Sequence, residues 1–123
     1  MPLNILIAED EKAIADIYGR ALVRHGHRVV VALDGLTCLT EYMASLDDKE
    51  KTPYDVVVID HELPHIKGSR LAKKILNANP QQRIVFVSGY GLDLLKNLDE
   101  IDVPIEFMTK PFNIDRLVEL IEN

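Results

Sequence analysis

The sequence is poor in the residues that mark disulfide-rich and disordered chains. Its 123 residues include one cysteine, 6 glycines and 6 prolines, while 47% are hydrophobic. A single cysteine forms neither an intramolecular disulfide nor a cysteine zinc cluster, and this composition excludes collagen-like, low-complexity and disordered chains. A chain of this length forms one hydrophobic core, so we expect one globular domain over residues 1–123.

Long apolar runs and an excess of basic charge are also missing. No apolar run approaches the roughly 20 residues of a membrane-spanning helix, and residues 1–4 lack the basic start of a signal peptide. We therefore expect a cytoplasmic protein that does not contact a membrane. With 14 basic and 20 acidic residues, a net charge of −6, the chain lacks the basic surface typical of proteins that bind nucleic acid directly.

Short apolar runs, rich in β-branched residues, divide the chain at regular intervals. In most of them the apolar residues follow one another directly, which is typical of strands covered on both faces, as in a parallel sheet. We therefore predict five buried strands. The runs cover residues 3–8, 29–33, 56–59, 84–87 and 105–108.

Apolar residues at three- and four-residue steps between these runs predict amphipathic helices, with Ile17 on the apolar stripe of the first. Ser69 and Asn113 are predicted N-caps, and Gly26 a left-handed C-cap. Strands that alternate with helices predict an α/β fold, in which right-handed crossovers place helices on both faces of one doubly wound parallel sheet. The predicted helices cover residues 11–25, 36–46, 69–79, 92–98 and the segment after Asn113.

Polar residues follow the carboxyl ends of four predicted strands. In a doubly wound sheet these ends meet at one edge, where the working site lies. Clustered carboxylates raise one another's pKa unless a cation lies between them, and oxygen ligands without cysteine or histidine suit Mg²⁺. The clusters are Glu9-Asp10-Glu11, Asp60, Ser88-Gly89 and Lys110-Pro111.

The same residues suit phosphoryl transfer. Asp10 and Asp60 can supply part of a Mg²⁺ cage, and a carboxylate beside Mg²⁺ can attack phosphorus in line to form an aspartyl phosphate. Lys110 adds a mobile positive charge and Ser88 a hydroxyl donor, both of which suit a phosphoryl oxygen. Asp60 is the predicted nucleophile. Glu11 is interpreted as an ordinary acidic residue at a helix start.

These motifs together resemble the receiver domains of two-component response regulators, of the CheY-like single-domain kind. The resemblance covers essentially the whole chain and implies a flavodoxin-like sheet with strand order 2-1-3-4-5. It rests on Glu9-Asp10 after Ile-Leu-Ile-Ala, on Asp60 after Val-Val-Val-Ile, on Pro64 and Gly68, on Ser88-Gly89, and on Phe107-Met108-Thr109-Lys110-Pro111.

The resemblance implies a role for each matching residue. Asp60 would be the phosphoacceptor and Lys110 the cation that contacts the phosphoryl group. Asp10 would bind Mg²⁺ directly together with Asp60 and the backbone carbonyl of Glu62, and Glu9 would act through metal-bound water. Glu9 replaces the more usual Asp but keeps the charge. The Glu62 side chain would border the path of the hydrolytic water.

The resemblance also implies a switch rather than a classical enzyme. The protein would assist its own phosphorylation and dephosphorylation, with a histidine kinase or phosphotransfer protein as the donor. Ser88 and Phe107 map to a coupled pair in which the hydroxyl moves toward the phosphoryl group and the aromatic ring turns inward. The face of helix 4, strand 5 and helix 5 would then bind a downstream target or output domain, or form a phosphorylation-dependent homodimer. The Lys110-Pro111 peptide is expected to be cis.

Other functions fit the residues less well. A Rossmann-type enzyme or a flavodoxin-like electron carrier needs a phosphate-binding loop where this chain has Glu9-Asp10-Glu11. A haloacid-dehalogenase-type phosphatase has its nucleophile after the first strand, not the third. The alternative that stays open is a pseudo-receiver, a constitutive protein-interaction module without phosphorylation.

The four histidines are interpreted as structural. His61 and His65 are four residues apart, but Pro64 breaks the helix that a zinc pair at this spacing needs. His25 and His27 lie at a predicted helix end, where we expect them to cap the helix.

Overall fold

The computed structural model describes residues 2–89, 106–110 and 113–123. Tyr90, Pro111 with its expected cis peptide, and the helix predicted over residues 92–98 lie outside the described residues. The strands are β1 (Asn4–Ala8), β2 (Arg28–Ala32), β3 (Val56–Asp60), β4 (Arg83–Ser88) and β5 (Glu106–Thr109). The described helices are α1 (Lys12–Arg24), α2 (Gly35–Asp47), α3 (Gly68–Ala78) and α4 (Ile114–Glu122).

The five strands form one parallel sheet in the order β2-β1-β3-β4-β5. This confirms the predicted doubly wound α/β fold and its strand order. Because every strand runs in the same direction, all carboxyl ends lie at one edge of the sheet. Among the helices that the structure describes, none combines the length and apolar character needed to cross a bilayer.

Two apolar layers cover the faces of the sheet, because alternate residues of each strand point to opposite sides. On one face, Tyr42 of α2 and Ile75 of α3 pack with Leu6, Ile59 and Phe86 of the strands. On the other face, α1 and α4 pack against the alternate strand residues, with Tyr18, Leu22, Leu117, Ile5, Val58 and Val85 in the layer. Cys38 is fully buried in the α2–α3 layer, and burial raises the pKa of its thiol to about 12.

The prediction of five buried strands is wrong for the two outer ones. Only β1, β3 and β4 are covered along nearly their whole length. The edge strands β2 and β5 each have one neighbouring strand in the sheet, and both expose large side chains, including Val31 and Phe107. Ile17, predicted on the apolar stripe of α1, is 56% exposed because the helix turns Ala15, Tyr18 and Leu22 toward the sheet instead.

Two of the predicted helix caps are confirmed and one is wrong. Asn113 accepts a hydrogen bond from the Asp115 N–H at the start of α4, and Gly26 has the left-handed φ of +90° after α1. Ser69 does not cap α3, because the helix has already begun at Gly68 and Lys67 is the N-cap residue.

The capping role predicted for the His27 side chain is also wrong. His27 is buried, and its Nδ1 accepts a hydrogen bond from the Leu3 N–H at 3.1 Å. Its Nε2 donates to Glu122 Oε2 at 3.0 Å. His25 Nδ1 lies 3.8 Å from the other oxygen of Glu122. The imidazole of His27 therefore joins the start of β1 to the end of α4.

Candidate functional site

An acidic cluster lies at the carboxyl edge of the sheet. Each of Glu9, Asp10 and Asp60 offers a carboxylate oxygen, and these oxygens all lie within 4.8 Å of one another. The strand register explains the meeting, because Ala8 of β1 lies opposite Ile59 of β3, so that Glu9 emerges beside Asp60. Among the described residues, no other group of three metal-ligating side chains comes together.

The backbone holds both buried carboxylates of the cluster. Glu9 is 1% exposed and Asp60 4% exposed, whereas Asp10 is open to solvent. Glu9 Oε2 accepts a hydrogen bond from the Glu11 N–H at 3.2 Å, and Asp60 Oδ1 accepts one from the Glu62 N–H at 3.0 Å. Each carboxylate thus has one oxygen fixed by the turn that follows its strand, and the second oxygen faces the site.

Lys110 supplies the positive charge of the site. Its backbone N–H donates to the Ser88 carbonyl at 2.7 Å, which continues the pairing of β5 with β4 beyond Thr109. Its Nζ lies 3.1 Å from Asp60 Oδ2 and 3.5 Å from Glu9 Oε1. Burial lowers the pKa of Lys110, but the charge and hydrogen bond of Asp60 and the charge of Glu9 outweigh burial, and the net shift is upward. Lys110 therefore stays cationic at neutral pH.

One lysine does not balance the negative charge of the cluster. Burial, together with the hydrogen bond and the charge of Asp60, raises the pKa of Glu9 from its ordinary value of 4.5 to about 8. The bond from the Glu11 N–H and the charge of Lys110 act in the opposite direction without overcoming it. A group of hard carboxylate oxygens that repel one another fits a divalent hard cation such as Mg²⁺. The residues present therefore suit the predicted metal.

The remaining predicted residues surround the cluster. Ser88 ends β4 and is buried, with its carbonyl bound by Lys110. Phe107 lies in β5 opposite Phe86 and is 41% exposed, so it is not a core residue in this structure. Glu62 is exposed, and its Oε1 lies 3.7 Å from the position that a side-chain carbon on Gly89 would occupy. The side chain of Glu62 therefore borders the loop that follows β4.

Gly68 has a structural role that the sequence motif alone did not explain. A Cβ atom at this position would lie 2.7 Å from the Asp60 carbonyl oxygen and 2.8 Å from the His61 Cα. The Gly68 N–H donates to the His61 carbonyl at 3.1 Å. Only a hydrogen side chain lets α3 begin this close to the end of β3, so Gly68 fixes the backbone that carries Asp60.

Tyr18, on the side of α1 that faces the sheet, lies in the electrostatic field of the site. It is buried in the α1–α4 layer, and burial raises the pKa of its hydroxyl to about 12. The charge of Lys110 lowers this pKa, while those of Glu9 and Asp60 raise it further. A tyrosine in an otherwise aliphatic helical stripe was the one signal in the sequence that could have indicated a polar neighbour.

Two curated relatives match nearly the whole length of the chain. The sensor kinase CckA of Brucella abortus is 30% identical over 119 residues, which are 97% of this chain and 12% of that protein. The transcriptional regulatory protein CutR of Streptomyces coelicolor is 27% identical over 117 residues, which are 94% of this chain and 50% of that protein. The chain therefore spans half or less of the length of these two relatives.

Solved structures of response regulators also match nearly the whole chain. The response regulator protein TrrA from Thermotoga maritima, in complex with Mg(2+)-BeF, has 25% sequence identity and a TM-score of 0.81, covering 99% of this chain and 97% of that chain. The receiver domain of the Francisella response regulator 1452 has 26% identity and a TM-score of 0.78, covering 98% of this chain and 93% of that one. The family model of the response regulator receiver domain matches residues 5–122. The chain therefore belongs to the response regulator receiver domain family.

Proposed function

We propose that residues 1–123 form a receiver domain that works as a phosphorylation-controlled switch with Asp60 as its phosphoacceptor. The observation that carries the proposal is the position of Asp60, whose Oδ2 lies 3.1 Å from Lys110 Nζ inside an acidic cluster where Glu9 is buried as well. A carboxylate beside a fixed cation is suited to attack an electron-poor phosphorus, because the cation stabilises the charge that develops on the phosphoryl oxygens.

Mg²⁺ is the cofactor in this proposal. Asp10, Asp60 and the backbone carbonyl of Glu62 would bind it directly, and Glu9 would act through a metal-bound water. When bound, Mg²⁺ supplies positive charge that neutralises the carboxylates and the phosphoryl oxygens. The raised pKa of Glu9 supports this assignment, because burial and the neighbouring Asp60 disfavour its charged form, and a bound cation would offset both effects.

In the phosphorylation step an Asp60 oxygen forms a bond to phosphorus while the bond from phosphorus to the donor's leaving atom breaks. The leaving group takes the bonding electron pair with it. Lys110 and the Ser88 hydroxyl would contact oxygens of the transferred group. In hydrolysis, water attacks the same phosphorus and Asp60 leaves as a carboxylate, with Glu62 beside the path of that water.

The donor in this proposal is a histidine kinase or phosphotransfer protein, and the recipient of the signal is a downstream protein or output domain. A phosphoryl group at Asp60 would stabilise any conformation in which the Ser88 hydroxyl lies close enough to donate a hydrogen bond to it. The 41% exposure of Phe107 supports a switch role, because an inward turn of the ring would remove apolar surface from water. The surface that includes Phe107, β5 and α4 would then bind the target protein or a second copy of the chain.

The test is the mass of the intact protein after incubation with acetyl phosphate, with Mg²⁺ and then with EDTA. We expect one added phosphoryl group in Mg²⁺ and none in EDTA. Asp60→Asn should abolish labelling while the circular dichroism spectrum stays unchanged. Asp47→Asn is the matched control, because Asp47 is an exposed aspartate at the end of α2 and should be labelled like wild type.

Two results would contradict the proposal. Labelling of Asp60→Asn as strong as that of wild type would move the phosphoacceptor to another residue. Absence of labelling, together with binding of neither Mg²⁺ nor beryllofluoride, would instead support a pseudo-receiver that interacts with partners constitutively.

A further inference from the structure

A groove of about 390 Å³ runs between α1 and the edge strand β2, away from the acidic cluster. Its apolar lining comes from Ala15, Gly19 and Val23 on one ridge of α1 and from Val29 and Val31 of β2. Val23 is 57% exposed and Val31 38% exposed, and β2 has no sheet neighbour on its outer side within the described residues. Aliphatic side chains therefore face solvent along this edge.

Gly19 keeps the middle of the groove open. Glycine inside a helix costs stability relative to alanine unless close packing requires it. Here a Cβ atom would lie 3.8 Å from Val29 Cγ1 and 4.0 Å from Val31 Cγ2, which are ordinary contact distances. The fold itself thus does not need a glycine at this position. What the missing side chain provides is open space above two valines.

Positive charge lines the groove of an otherwise acidic chain. Arg20 and Arg24 belong to the lining, one helical turn apart, and Asp16 is its acidic member. Arg28 adds a further exposed positive charge at the start of β2. The whole chain carries a net charge of −6, whereas three arginines and one aspartate make this surface locally positive. It would attract a segment that carries carboxylates.

We propose that this groove, lined by α1 and β2, binds a segment of another protein that presents aliphatic side chains beside carboxylates. The aliphatic groups fill the space above Gly19 and cover Val31, and the carboxylates pair with Arg20 and Arg24. A second copy related by twofold symmetry would bring the same arginines together, so an unlike partner is favoured. Because β2 and β5 are opposite edges of the sheet, such a partner leaves Phe107 and Lys110 accessible.

The probe is a synthetic helical peptide with leucines along one face and glutamates on both sides of that face. It is titrated into the whole chain labelled with ¹⁵N, and amide shifts are followed by NMR. We expect saturable shifts centred on Gly19, Val23 and Val31. A peptide with lysine in place of glutamate should bind at least about tenfold more weakly, because it repels the arginines.

Substitutions separate the groove from the rest of the surface. Gly19→Leu fills the groove and should weaken peptide binding by about tenfold or more, since it occupies the space meant for the partner. Arg20→Gln combined with Arg24→Gln should weaken binding of the glutamate peptide but not of the lysine peptide. Lys74→Gln, on the exposed face of α3, is the control and should bind as wild type does.

Phosphorylation by acetyl phosphate should be unchanged in all these variants, so failure of this proposal is distinguishable from failure of the phosphoacceptor assignment. Equal binding of the glutamate and lysine peptides would overturn the proposal. So would the absence of shifts at the groove with millimolar peptide, or binding that survives Gly19→Leu. A concentration-dependent dimer in sedimentation that Gly19→Leu abolishes would assign the groove to a second copy of the chain instead.

Discussion

We expect Glu9→Gln to stabilise the metal-free protein at neutral pH. Glu9 is buried beside Asp60, and its pKa is raised from 4.5 to about 8 by burial and by that neighbour. Between these two pH values the folded protein holds a proton on Glu9 that the unfolded chain has released. The free energy of unfolding therefore contains a contribution that is fully present below pH 4.5 and is lost as the pH rises to about 8.

The size of the effect follows from proton linkage. One proton bound only by the folded state changes the free energy of unfolding by about 1.4 kcal/mol per pH unit. From pH 4.5 to neutral pH this amounts to at most about 3 kcal/mol. Glutamine is nearly isosteric with glutamate and does not titrate, so the variant should not show this loss.

The assay is urea unfolding followed by circular dichroism, at a series of values from about pH 5 to about pH 8 in EDTA. The quantity of interest is the difference between variant and wild type at each pH, because other titrating groups cancel in that difference. Glu11→Gln is the control, since Glu11 is exposed and only its backbone contacts Glu9. Parallel pH profiles for Glu9→Gln and wild type would refute the reasoning.

Mg²⁺ should act on the same group. Binding of the cation favours the deprotonated form of Glu9, so added Mg²⁺ should stabilise wild type more at about pH 8 than at about pH 5. The pH dependence of this stabilisation should be smaller in Glu9→Gln. Equal stabilisation at both pH values in wild type would mean that Glu9 does not exchange a proton for the metal.

Three further predictions concern stability, each measured by urea unfolding. Arg83 donates to both oxygens of Glu106 and to the Ile121 carbonyl, so Arg83→Ala should cost about 2 kcal/mol, and a loss no larger than an exposed arginine gives would contradict this. Gly68→Ala should lower the free energy of unfolding by about 1–3 kcal/mol because its Cβ would collide with backbone atoms. Gly19→Ala should raise the free energy of unfolding, because its Cβ would make only ordinary contacts. A Gly19→Ala variant less stable than Gly68→Ala would contradict this packing. His27→Phe should cost about 1–3 kcal/mol because the partly buried Leu3 N–H loses its acceptor, and unchanged stability would argue against that bond.

The interior of the fold was predictable because its strands obey a local rule. Residues 56–59 and 84–87 are apolar at every position, and both strands are buried on both faces. The run at residues 29–33 has the same composition, yet β2 is largely exposed. What separates these strands is their position in the sheet, which depends on strand order. Composition within one run carries no information about that order.

The sequence predicted which residues meet at the site, but it did not predict the burial of Glu9 or the resulting rise in its pKa. Because parallel strands end at one edge, Glu9, Asp60 and Lys110 were expected to meet, and they do. The burial of Glu9 was not expected, since an acid after a strand is usually solvated. The burial of Glu9 follows from its hydrogen bond with the Glu11 N–H, which holds the carboxylate against the turn after β1. Such a contact depends on backbone direction after the strand, which residue types alone do not indicate.

Two strands were wrongly predicted to be buried because they lie at the edges of the sheet. The proposed switch depends on the exposure of one of them, β5. Lys110 contacts Asp60 through its side chain and Ser88 through its backbone, so it links the proposed phosphoacceptor to the end of β5. Within the described residues this strand pairs with β4 alone and is four residues long, so it forms fewer strand pairings than β3 or β4. An interior strand at this position would resist displacement. An edge strand such as β5 can change the positions of its side chains at lower cost than an interior strand. Phe107 lies on this strand.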